Sequence, residues 1–272
     1  MKTRIQSQNF GTERAVRFQM HHKRYIYPIH MHQYAELVIP IEEPLDITVD
    51  GNTETLNVGQ AAFVFPFQPH SYYSTKKNKL AMFVFSPSMI PDFFNQTSGK
   101  VGKGSVFIPK ESTLNMFHSR IFEKGDFELF DIKGCIYLML SDFLENTELC
   151  EGTQDSSIAV GVVDYINKNI SEKITLSDIA GALGYNPNYL SQRIGEVFGI
   201  NLCSLLANIR ADKAKYLLLE TTKTGLEICY ECGFGSERSF HRQFKDITGS
   251  TPKEYRTKYR VSHINHGIIK YF

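Results

Sequence analysis

One pattern occurs twice in the C-terminal half of the sequence, and it limits what that half can fold into. A short, partly apolar segment ends at Gly184, and a second one ends about fifty residues later at Gly233. Glycine permits the left-handed turn that ends a helix, because it has no Cβ. Residues suited to cap a new helix follow, Asn186 in the first copy and Ser236 in the second. The pattern predicts two copies of a helix, a short turn and a second helix.

The second helix of each copy is predicted to have one buried and one exposed face. Leu190 and Ile194 are spaced to face inward in the first copy, as are Phe240 and Phe244 in the second. A polar helix face is usually only solvated, but these faces carry Asn, Gln, His and Arg and occur in a duplicated unit. Two units joined by one helix can place their second helices about 34 Å apart, one turn of DNA. The duplication therefore favours DNA recognition.

Residues 158–260 resemble the C-terminal DNA-binding domain of the AraC/XylS family of bacterial transcription regulators. The resemblance rests on the segments ITLSDIAGALGYNPNYLSQ, IRADKAKYLL and, above all, GFGSERSFHRQFKDITGSTPKEYR. It implies a regulator that binds a double-stranded DNA operator, with RNA polymerase as a candidate further partner.

The family pattern places the base-reading residues on the two second helices. They are Asn188, Ser191 and Gln192 in the first helix-turn-helix, and Glu237, Arg238, His241 and Arg242 in the second. Arginine can pair with guanine through two hydrogen bonds, and Asn or Gln can pair with adenine in the same way. Lys245 is expected to contact phosphate, which positions the protein on DNA.

Departures from the family pattern predict that the first helix-turn-helix binds weakly and the second dominates. Ile194, Gly195 and Glu196 replace the usual Phe-Lys-Lys, which puts a glycine in the recognition helix and an acidic residue near phosphate. Gly225 replaces a β-branched apolar residue. Cys229 and Cys232 replace small core residues of a helix, so we expect them to pack in the core.

The charge distribution agrees with a polyanion partner for the C-terminal part. The whole chain has a net charge of +1, while Ser157 to Arg260 contain fourteen Lys and Arg against eleven Asp and Glu, a net of +3. The last stretch, residues 237–260, is the most basic. It contains three acidic residues, Glu237, Asp246 and Glu254, and seven basic ones: Arg238, Arg242, Lys245, Lys253, Arg256, Lys258 and Arg260. This is a modest electrostatic footprint.

The N-terminal half has the pattern of an all-β domain. AELVIPI, LDITVDG, GQAAFVFPF and LAMFVFSP are rich in β-branched and aromatic residues and are separated by turn residues. An Asp-Gly-Asn turn joins two of these runs as a hairpin. Alternation along Phe63, Phe65 and Phe67 places the three rings on one face, most simply the core. The pattern predicts a β-sandwich or small barrel.

Two amphipathic helices are predicted between Ser112 and Asn146. Leu114, Phe117 and Ile121, and later Ile132, Ile136, Met139 and Phe143, recur at three- and four-residue spacing. Their apolar stripe is expected to cover the open side of the barrel, to form a homodimer contact, or to do both. The polar stretch that follows is predicted as a linker. The predicted domains are 1–147 for sensing and dimerisation, 148–156 as linker, 157–262 for DNA binding, and 263–272 as tail.

A histidine-rich pattern lies in the predicted barrel. His30, His32, Glu36 and His70 resemble the residues of a cupin barrel that converge on iron, manganese, zinc or nickel. The same stretch also resembles AraC/XylS effector domains, in which histidines line a pocket without metal. A third interpretation is that the histidines only pack in the core or at the rim of the barrel. We favour the second interpretation and expect no cofactor. The predicted effector-binding residues are His30, His32, Tyr34, Glu36, His70 and Tyr72, and the two tyrosines would suit a sugar-like ligand.

Cellular location follows from two expectations. No stretch approaches eighteen consecutive apolar residues, and the first residues lack a secretory signal, so no membrane association is expected. Five cysteines, an odd number spread over two regions, favour free thiols in a reducing compartment. The sequence predicts a cytoplasmic protein.

Together these patterns predict two domains: an N-terminal all-β cupin-like barrel with two following helices, and a C-terminal all-α tandem helix-turn-helix. The predicted function is transcription regulation controlled by a small-molecule effector, with a sugar or related metabolite favoured. No catalytic group is required. The alternatives are a metal-dependent cupin enzyme fused to a DNA-binding domain, and an adaptor that recognises another protein. By family resemblance, the segment to about Met20 is an arm that moves on ligand binding.

Overall fold

The computed structural model describes residues 4–5, 16–123, 128–259 and 268–271. Within these residues the chain forms two compact domains, an N-terminal one that ends at Thr153 and also contains 268–271, and a C-terminal one that begins at Gln154. The predicted N-terminal arm lies largely outside the described residues, as does most of the predicted tail. No described helix is long and apolar enough to cross a membrane.

The N-terminal domain is built on one sheet that curves into a nearly closed barrel over residues 24–107. Its strands are β1 Arg4–Ile5, β2 Val16–Met31, β3 Ala35–Pro40, β4 Leu45–Val49, β5 Asn52–Leu56, β6 Ala61–Val64, β7 His70–Phe85, β9 Val106–Phe107 and β11 Ile268–Tyr271; β8 Lys100–Gly102 pairs separately with β10 Leu149–Glu151. Strand β7 organises the sheet, because it pairs with β2, with β4 near its start and with β3 near its end. The prediction of an all-β domain is confirmed.

Turn chemistry explains the predicted hairpin and limits one predicted strand. Asp50 and Gly51 have φ of 50° and 84°, as a tight turn between β4 and β5 requires. Phe63 and Phe65 pack in the core, with ring centroids 4.8 Å apart. Phe67 departs from the prediction: β6 ends at Val64, and Phe67 has a φ of 62°. The alternation therefore does not extend to Phe67.

Helices cover the barrel core. A 3₁₀ turn Pro87–Met89 precedes α1 Pro91–Gln96, α2 Glu111–Phe117 continues into a π-helical turn His118–Glu123, and α3 is Leu129–Asn146. Ile132, Ile136, Met139 and Phe143 of α3 are fully buried in the same core as barrel residues such as Phe63. This confirms that the stripe covers the barrel. Dimerisation of the chain stays a prediction, and the buried residues of the stripe pack in the barrel core.

The segment predicted as a linker, 148–156, has regular structure. Strand β10 pairs through Leu149, Cys150 and Glu151 with β8, and α4 already begins at Gln154. Strand β10 is only three residues long, too short to show the alternation of apolar and polar residues that predicts a strand. Its partner, β8, is about fifty residues away in sequence. The pairing could not be predicted for this reason.

The C-terminal domain is entirely helical in its described residues. Its helices are α4 Gln154–Lys168, α5 Leu176–Leu183, α6 Pro187–Phe198, α7 Leu202–Glu220, α8 Gly225–Glu231, α9 Glu237–Thr248 and α10 Pro252–Tyr259. Thr175 and Asp178 form the predicted capping box of α5, and Asn186 and Ser236 cap α6 and α9. Gly184 ends α5 with a φ of 71°. The two predicted helix-turn-helix units, α5–α6 and α8–α9, are confirmed.

Candidate functional site

The second helix-turn-helix presents a basic helix face over an aromatic core. Phe240 and Phe244 of α9 are fully buried, with ring centroids 5.6 Å apart. The predicted DNA-contacting residues are all exposed on the other side of the helix: Glu237, Arg238, His241, Arg242 and Lys245. Glu237 Oε1 lies 3.9 Å from His241 Nε2 one turn further on. Burial of one face thus leaves the polar face of α9 accessible to DNA.

One residue of the predicted basic footprint has a different role. Arg256 is half-buried, and its guanidinium donates to the carbonyls of Leu218 at 2.8 Å and Lys223 at 2.6 Å, at the end of α7. Arg210 acts similarly on α7, where it donates to the carbonyls of Ile170 and Glu172. Both arginines hold chain segments together and do not form part of the exposed face of α9. Arg260 lies outside the described residues.

The first helix-turn-helix has the same division of faces with less positive charge. Leu190 and Ile194 of α6 are buried, and Asn186 accepts hydrogen bonds from two backbone amides at the helix start. The three predicted base-reading residues are exposed: Asn188, Ser191 and Gln192. This arrangement offers amide and hydroxyl groups to DNA, but no cation among the three.

Glu196 engages two neighbours on α6 and adds a negative charge to this face. Gln192 Nε2 donates to Glu196 Oε1 at 2.8 Å, and Arg193 forms an ion pair with the same carboxylate. Arg193 also pairs with Asp155 of α4. The bond from Gln192 to Glu196 uses one of the two N–H groups of the Gln192 amide and holds its side chain toward Glu196.

The barrel brings four metal-ligating side chains together. His30 lies near the end of β2 and His70 begins β7, where the two residues are direct partners in the sheet. His32 is in the turn after β2, and Glu36 is in β3. One ligand atom from each lies within 4.8 Å of the other three, and all four residues are buried.

The backbone fixes the orientation of all three imidazoles. Nδ1 of His30 lies 3.0 Å from Pro28 O, that of His32 lies 3.1 Å from Tyr34 O, and that of His70 lies 2.8 Å from Gln68 O. A carbonyl oxygen can only accept, so each Nδ1 carries a hydrogen. The bonds direct each Nε2 away from the backbone, and Nε2 of both His32 and His70 approaches Glu36.

Glu36 is held as a carboxylate inside the barrel. His32 Nε2 lies 2.7 Å from its Oε1, and the Tyr72 hydroxyl donates to its Oε2. Burial alone would raise the pKa of Glu36, but neighbouring His70 and the bond to His32 hold that pKa well below its usual range. Burial, together with Glu36, raises the pKa of Tyr72 well above its usual value. Tyr72 therefore remains a hydrogen-bond donor.

His30 and His70 each have one unusual property, the first in its pKa and the second in its hydrogen bonding. Burial, with a smaller effect of His70, lowers the pKa of His30 to about 4, so its ring is neutral at neutral pH. His70 Nε2 lies 3.5 Å from Glu36 Oε2 but has no hydrogen-bond partner, although it is fully buried. A buried polar atom without a partner is uncommon and asks for an explanation.

Tyr34 contributes differently from the sequence prediction. Its ring centroid lies 6.0 Å from that of His32, and its hydroxyl accepts from Gln33 Nε2 at 3.2 Å. The carbonyl of Tyr34 is the part that orients His32. Of the six predicted effector-binding residues, the structure thus brings five side chains together, and Tyr34 lies at their edge.

Comparison with known proteins identifies the helical domain. A family model described as a helix-turn-helix domain matches residues 179–258, from α5 to α10. An uncharacterized HTH-type transcriptional regulator of Bacillus subtilis, YobQ, is 26% identical over 85% of this chain and 89% of its own length. The C-terminal domain belongs to the AraC-type helix-turn-helix family. The chain is therefore an AraC-type DNA-binding transcription regulator.

Further matches cover between about a third and nine tenths of this chain. An uncharacterized HTH-type transcriptional regulator of Staphylococcus aureus, SAR0107, is 36% identical over 35% of this chain, which is 13% of its own length. Among solved structures, the C-terminal domain of AraT from Geobacillus stearothermophilus is 33% identical, with 42% of this chain and 94% of that chain covered and a TM-score of 0.38. ToxT from Vibrio cholerae is 14% identical, with 89% and 98% covered and a TM-score of 0.47.

Sequence reasoning missed three contributors to these sites. Arg193 lies between the two faces of α6, so periodicity gave no reason to expect ion pairs with both Glu196 and Asp155. The carbonyls of Pro28 and Gln68 orient histidines but are backbone groups, which no side-chain pattern reveals. The carbonyl of Pro28 lies at an irregularity of β2 and that of Gln68 lies in the loop before β7, so a proline near each histidine is the available signal.

The AraC-type reader predicts a gain of affinity when Glu196 is neutralised. Glu196→Gln removes a negative charge from the face of α6 that is predicted to meet DNA, and it weakens the contacts of this side chain with Gln192 and Arg193. We expect operator affinity to rise about fivefold, equivalent to about 1 kcal/mol. Titration of labelled operator DNA measures this. Glu172→Gln, the same charge change at an exposed position outside α6, is the control. Equal gains in both variants would contradict a local role for Glu196.

Proposed function

We propose that this regulator reads its operator with α6 and α9 and that an occupant of the barrel changes its affinity for that operator. The base-reading residues would be Asn188, Ser191, Gln192, Glu237, Arg238, His241 and Arg242, with Lys245 at phosphate. The exposed polar faces of two capped helices over buried cores support the reading role. Control of operator affinity by the barrel is supported mainly by one observation, the buried cluster of His30, His32, Glu36 and His70. The barrel fold alone does not require this cluster.

The occupant acts as an effector only through a difference in binding. A ligand shifts the protein between two arrangements of its reader only if it binds one arrangement more tightly. The sequence favours a sugar or related metabolite as the effector, with Tyr72 and the histidines as its hydrogen-bonding partners, whereas the close spacing of the three histidine rings favours a smaller occupant.

We propose a homodimer formed through the outer face of α3. Phe130 is 85% exposed, and Tyr137 and Leu138 lie two turns further along the helix, each 38% exposed. Residues seven and eight apart share one face of a helix. The inner stripe is buried, so this outer face is the part of α3 that a second copy can reach.

The protein would act in the cytoplasm, with RNA polymerase as a further partner.

Effector control is tested on the full-length chain. The operator is obtained by sequencing genomic fragments that the purified chain retains, and candidate ligands are those that raise the midpoint of thermal unfolding. We expect at least one ligand to change the dissociation constant for the operator by about fivefold or more, as allosteric coupling usually does. His32→Ala should abolish this change but keep the ligand-free DNA affinity. If no ligand alters DNA affinity, control through the barrel is wrong and the adaptor alternative gains.

A metal-dependent enzyme is the second candidate, favoured by the three histidines and one carboxylate that converge in the barrel. It predicts turnover of a small substrate by the metal-loaded chain, with loss of turnover in His30→Ala. If the chain is a regulator without catalytic activity, neither the unchanged chain nor His30→Ala turns over substrate, and His30→Ala loses only the response of DNA binding to the effector.

A further inference from the structure

We propose that the barrel binds a divalent first-row transition-metal ion through Nε2 of His30, His32 and His70 and a carboxylate oxygen of Glu36. This inference rests on the proposed function, since it names the occupant through which the barrel controls DNA binding. The donor set and its second layer of hydrogen bonds carry it.

The backbone bonds at Nδ1 are the first support. A histidine that binds metal usually donates its other ring nitrogen to a carbonyl or carboxylate, which fixes its tautomer and orientation. All three histidines of the cluster have this bond, at 2.8 to 3.1 Å, and in each case the acceptor is a carbonyl close in sequence. A histidine that only fills space in a core does not need a hydrogen bond from Nδ1 to a backbone carbonyl. Three neighbouring histidines that all have this bond are better explained by a shared ligand at their Nε2 atoms.

The contacts of Glu36 are the second support. His32 Nε2 lies 2.7 Å from Glu36 Oε1, while His32 Nδ1 donates to a carbonyl. Two such atoms this close need either a hydrogen shared between them or a cation bound to both. His70 Nε2 is buried without a partner beside the same carboxylate. One metal ion would satisfy both atoms.

The dimensions of the cluster favour an ion over a metabolite. Ring centroids of the three histidines lie 4.1, 5.2 and 5.5 Å apart, which leaves no room for a sugar ring between them. The four ligand atoms lie within 4.8 Å of one another. Ligands on opposite sides of a transition-metal ion are about 4.2 Å apart, because each bond is about 2.1 Å long. A small inward movement of side chains completes the coordination.

The donor types narrow the choice of metal. Three imidazoles and one carboxylate suit zinc, iron, nickel or cobalt, whereas calcium and magnesium prefer oxygen ligands alone. Tyr72 would act as a positioning residue, since its hydroxyl donates to Glu36 Oε2 and holds the carboxylate toward the histidines. An ion bound here would replace the hydrogen that the structure requires between His32 and Glu36.

The test uses the full-length chain, stripped with chelator and titrated with Zn²⁺, and with Co²⁺ as a spectroscopic probe. We expect one ion per chain and Co²⁺ absorption bands of a site with nitrogen and oxygen ligands. His70→Gln should weaken Zn²⁺ binding at least about 100-fold, and Tyr72→Phe about tenfold, as loss of a second-layer bond does. His118→Gln, at an exposed histidine outside the barrel cluster, is the matched control and should bind as the unchanged chain does.

Each outcome decides between claims. Helical circular dichroism and the unfolding midpoint of each variant show whether it folds, and Tyr72→Phe keeps the test open if His70→Gln does not. Stoichiometric Zn²⁺ lost in His70→Gln but not in His118→Gln supports the site. No binding, or equal binding by all variants, overturns it. Operator affinity measured in the same samples separates the two proposals: a metabolite response without metal overturns the metal site alone, and bound metal without a DNA response overturns barrel control alone.

Discussion

Gly233→Ala is expected to destabilise the C-terminal domain by at least about 3 kcal/mol, more than most single substitutions. Gly233 has a φ of 74°, and an alanine there costs about 1–2 kcal/mol for the left-handed backbone alone. An added Cβ would also lie 2.0 Å from Ile170 O and 2.8 Å from Arg210 Nη2. Ile170 O is backbone and already accepts from Arg210 Nε, so it cannot move aside cheaply. The substitution would therefore push the turn of the second helix-turn-helix away from the segment that follows α4.

Gly184→Ala is the matched control. Gly184 occupies the same place in the first helix-turn-helix, with a φ of 71°, but no atom lies within 4 Å of an added Cβ. We expect only the backbone cost, about 1 kcal/mol. Urea unfolding of the full chain, followed by circular dichroism at the helical band, measures both. Equal losses would mean that close approach at Gly233 has no energetic role.

Arg242→Ala is expected to weaken operator binding by about 10- to 100-fold, or about 1–3 kcal/mol, as loss of a base-reading arginine usually does. Gln192→Ala should weaken it by about threefold at most, because Gln192 already donates to Glu196 and gains less from DNA. Arg242 is exposed on α9, where the described residues provide no acidic partner for it. The second helix-turn-helix should thus contribute most of the affinity.

Lys253→Ala serves as the charge-matched control for Arg242→Ala. Lys253 is exposed on α10, so its loss removes one positive charge without touching α9. We expect a small loss that is equal for operator and unrelated DNA, since a distant charge contributes only to non-specific attraction. If Gln192→Ala abolishes binding and Arg242→Ala leaves it intact, the ranking of the two helix-turn-helix units is wrong.

The helical domain could be predicted in detail because its signals are local. Caps such as Asn186 and Ser236, the glycine turns, and the spacing of Phe240 and Phe244 each act within one or two turns of chain. The core positions of Cys229 and Cys232, both fully buried, were predicted from the resemblance to the family pattern and are confirmed. Family resemblance added the expected reading positions, which remain a prediction.

The barrel was predicted as a class but not strand by strand. The sequence of β2, VRFQMHHKRYIYPIHM, mixes charged residues with a proline and lacks clean alternation, so its length of sixteen residues could not be seen. The candidate site needed the four ligating residues, which were identified, and their arrangement, which was not. That arrangement depends on the pairing of His30 with His70 across β2 and β7 and on backbone carbonyls, both of which only the fold determines.

The reading of DNA sequence by this chain is tested most directly by one comparison. The affinity of the full-length chain is measured for its operator and for a duplex of equal length and composition with shuffled sequence, across a range of salt. We predict a preference for the operator of at least about 10³-fold at physiological salt, and affinities for both duplexes that fall as salt rises. Equal affinity for the two duplexes would contradict sequence-specific regulation by this protein.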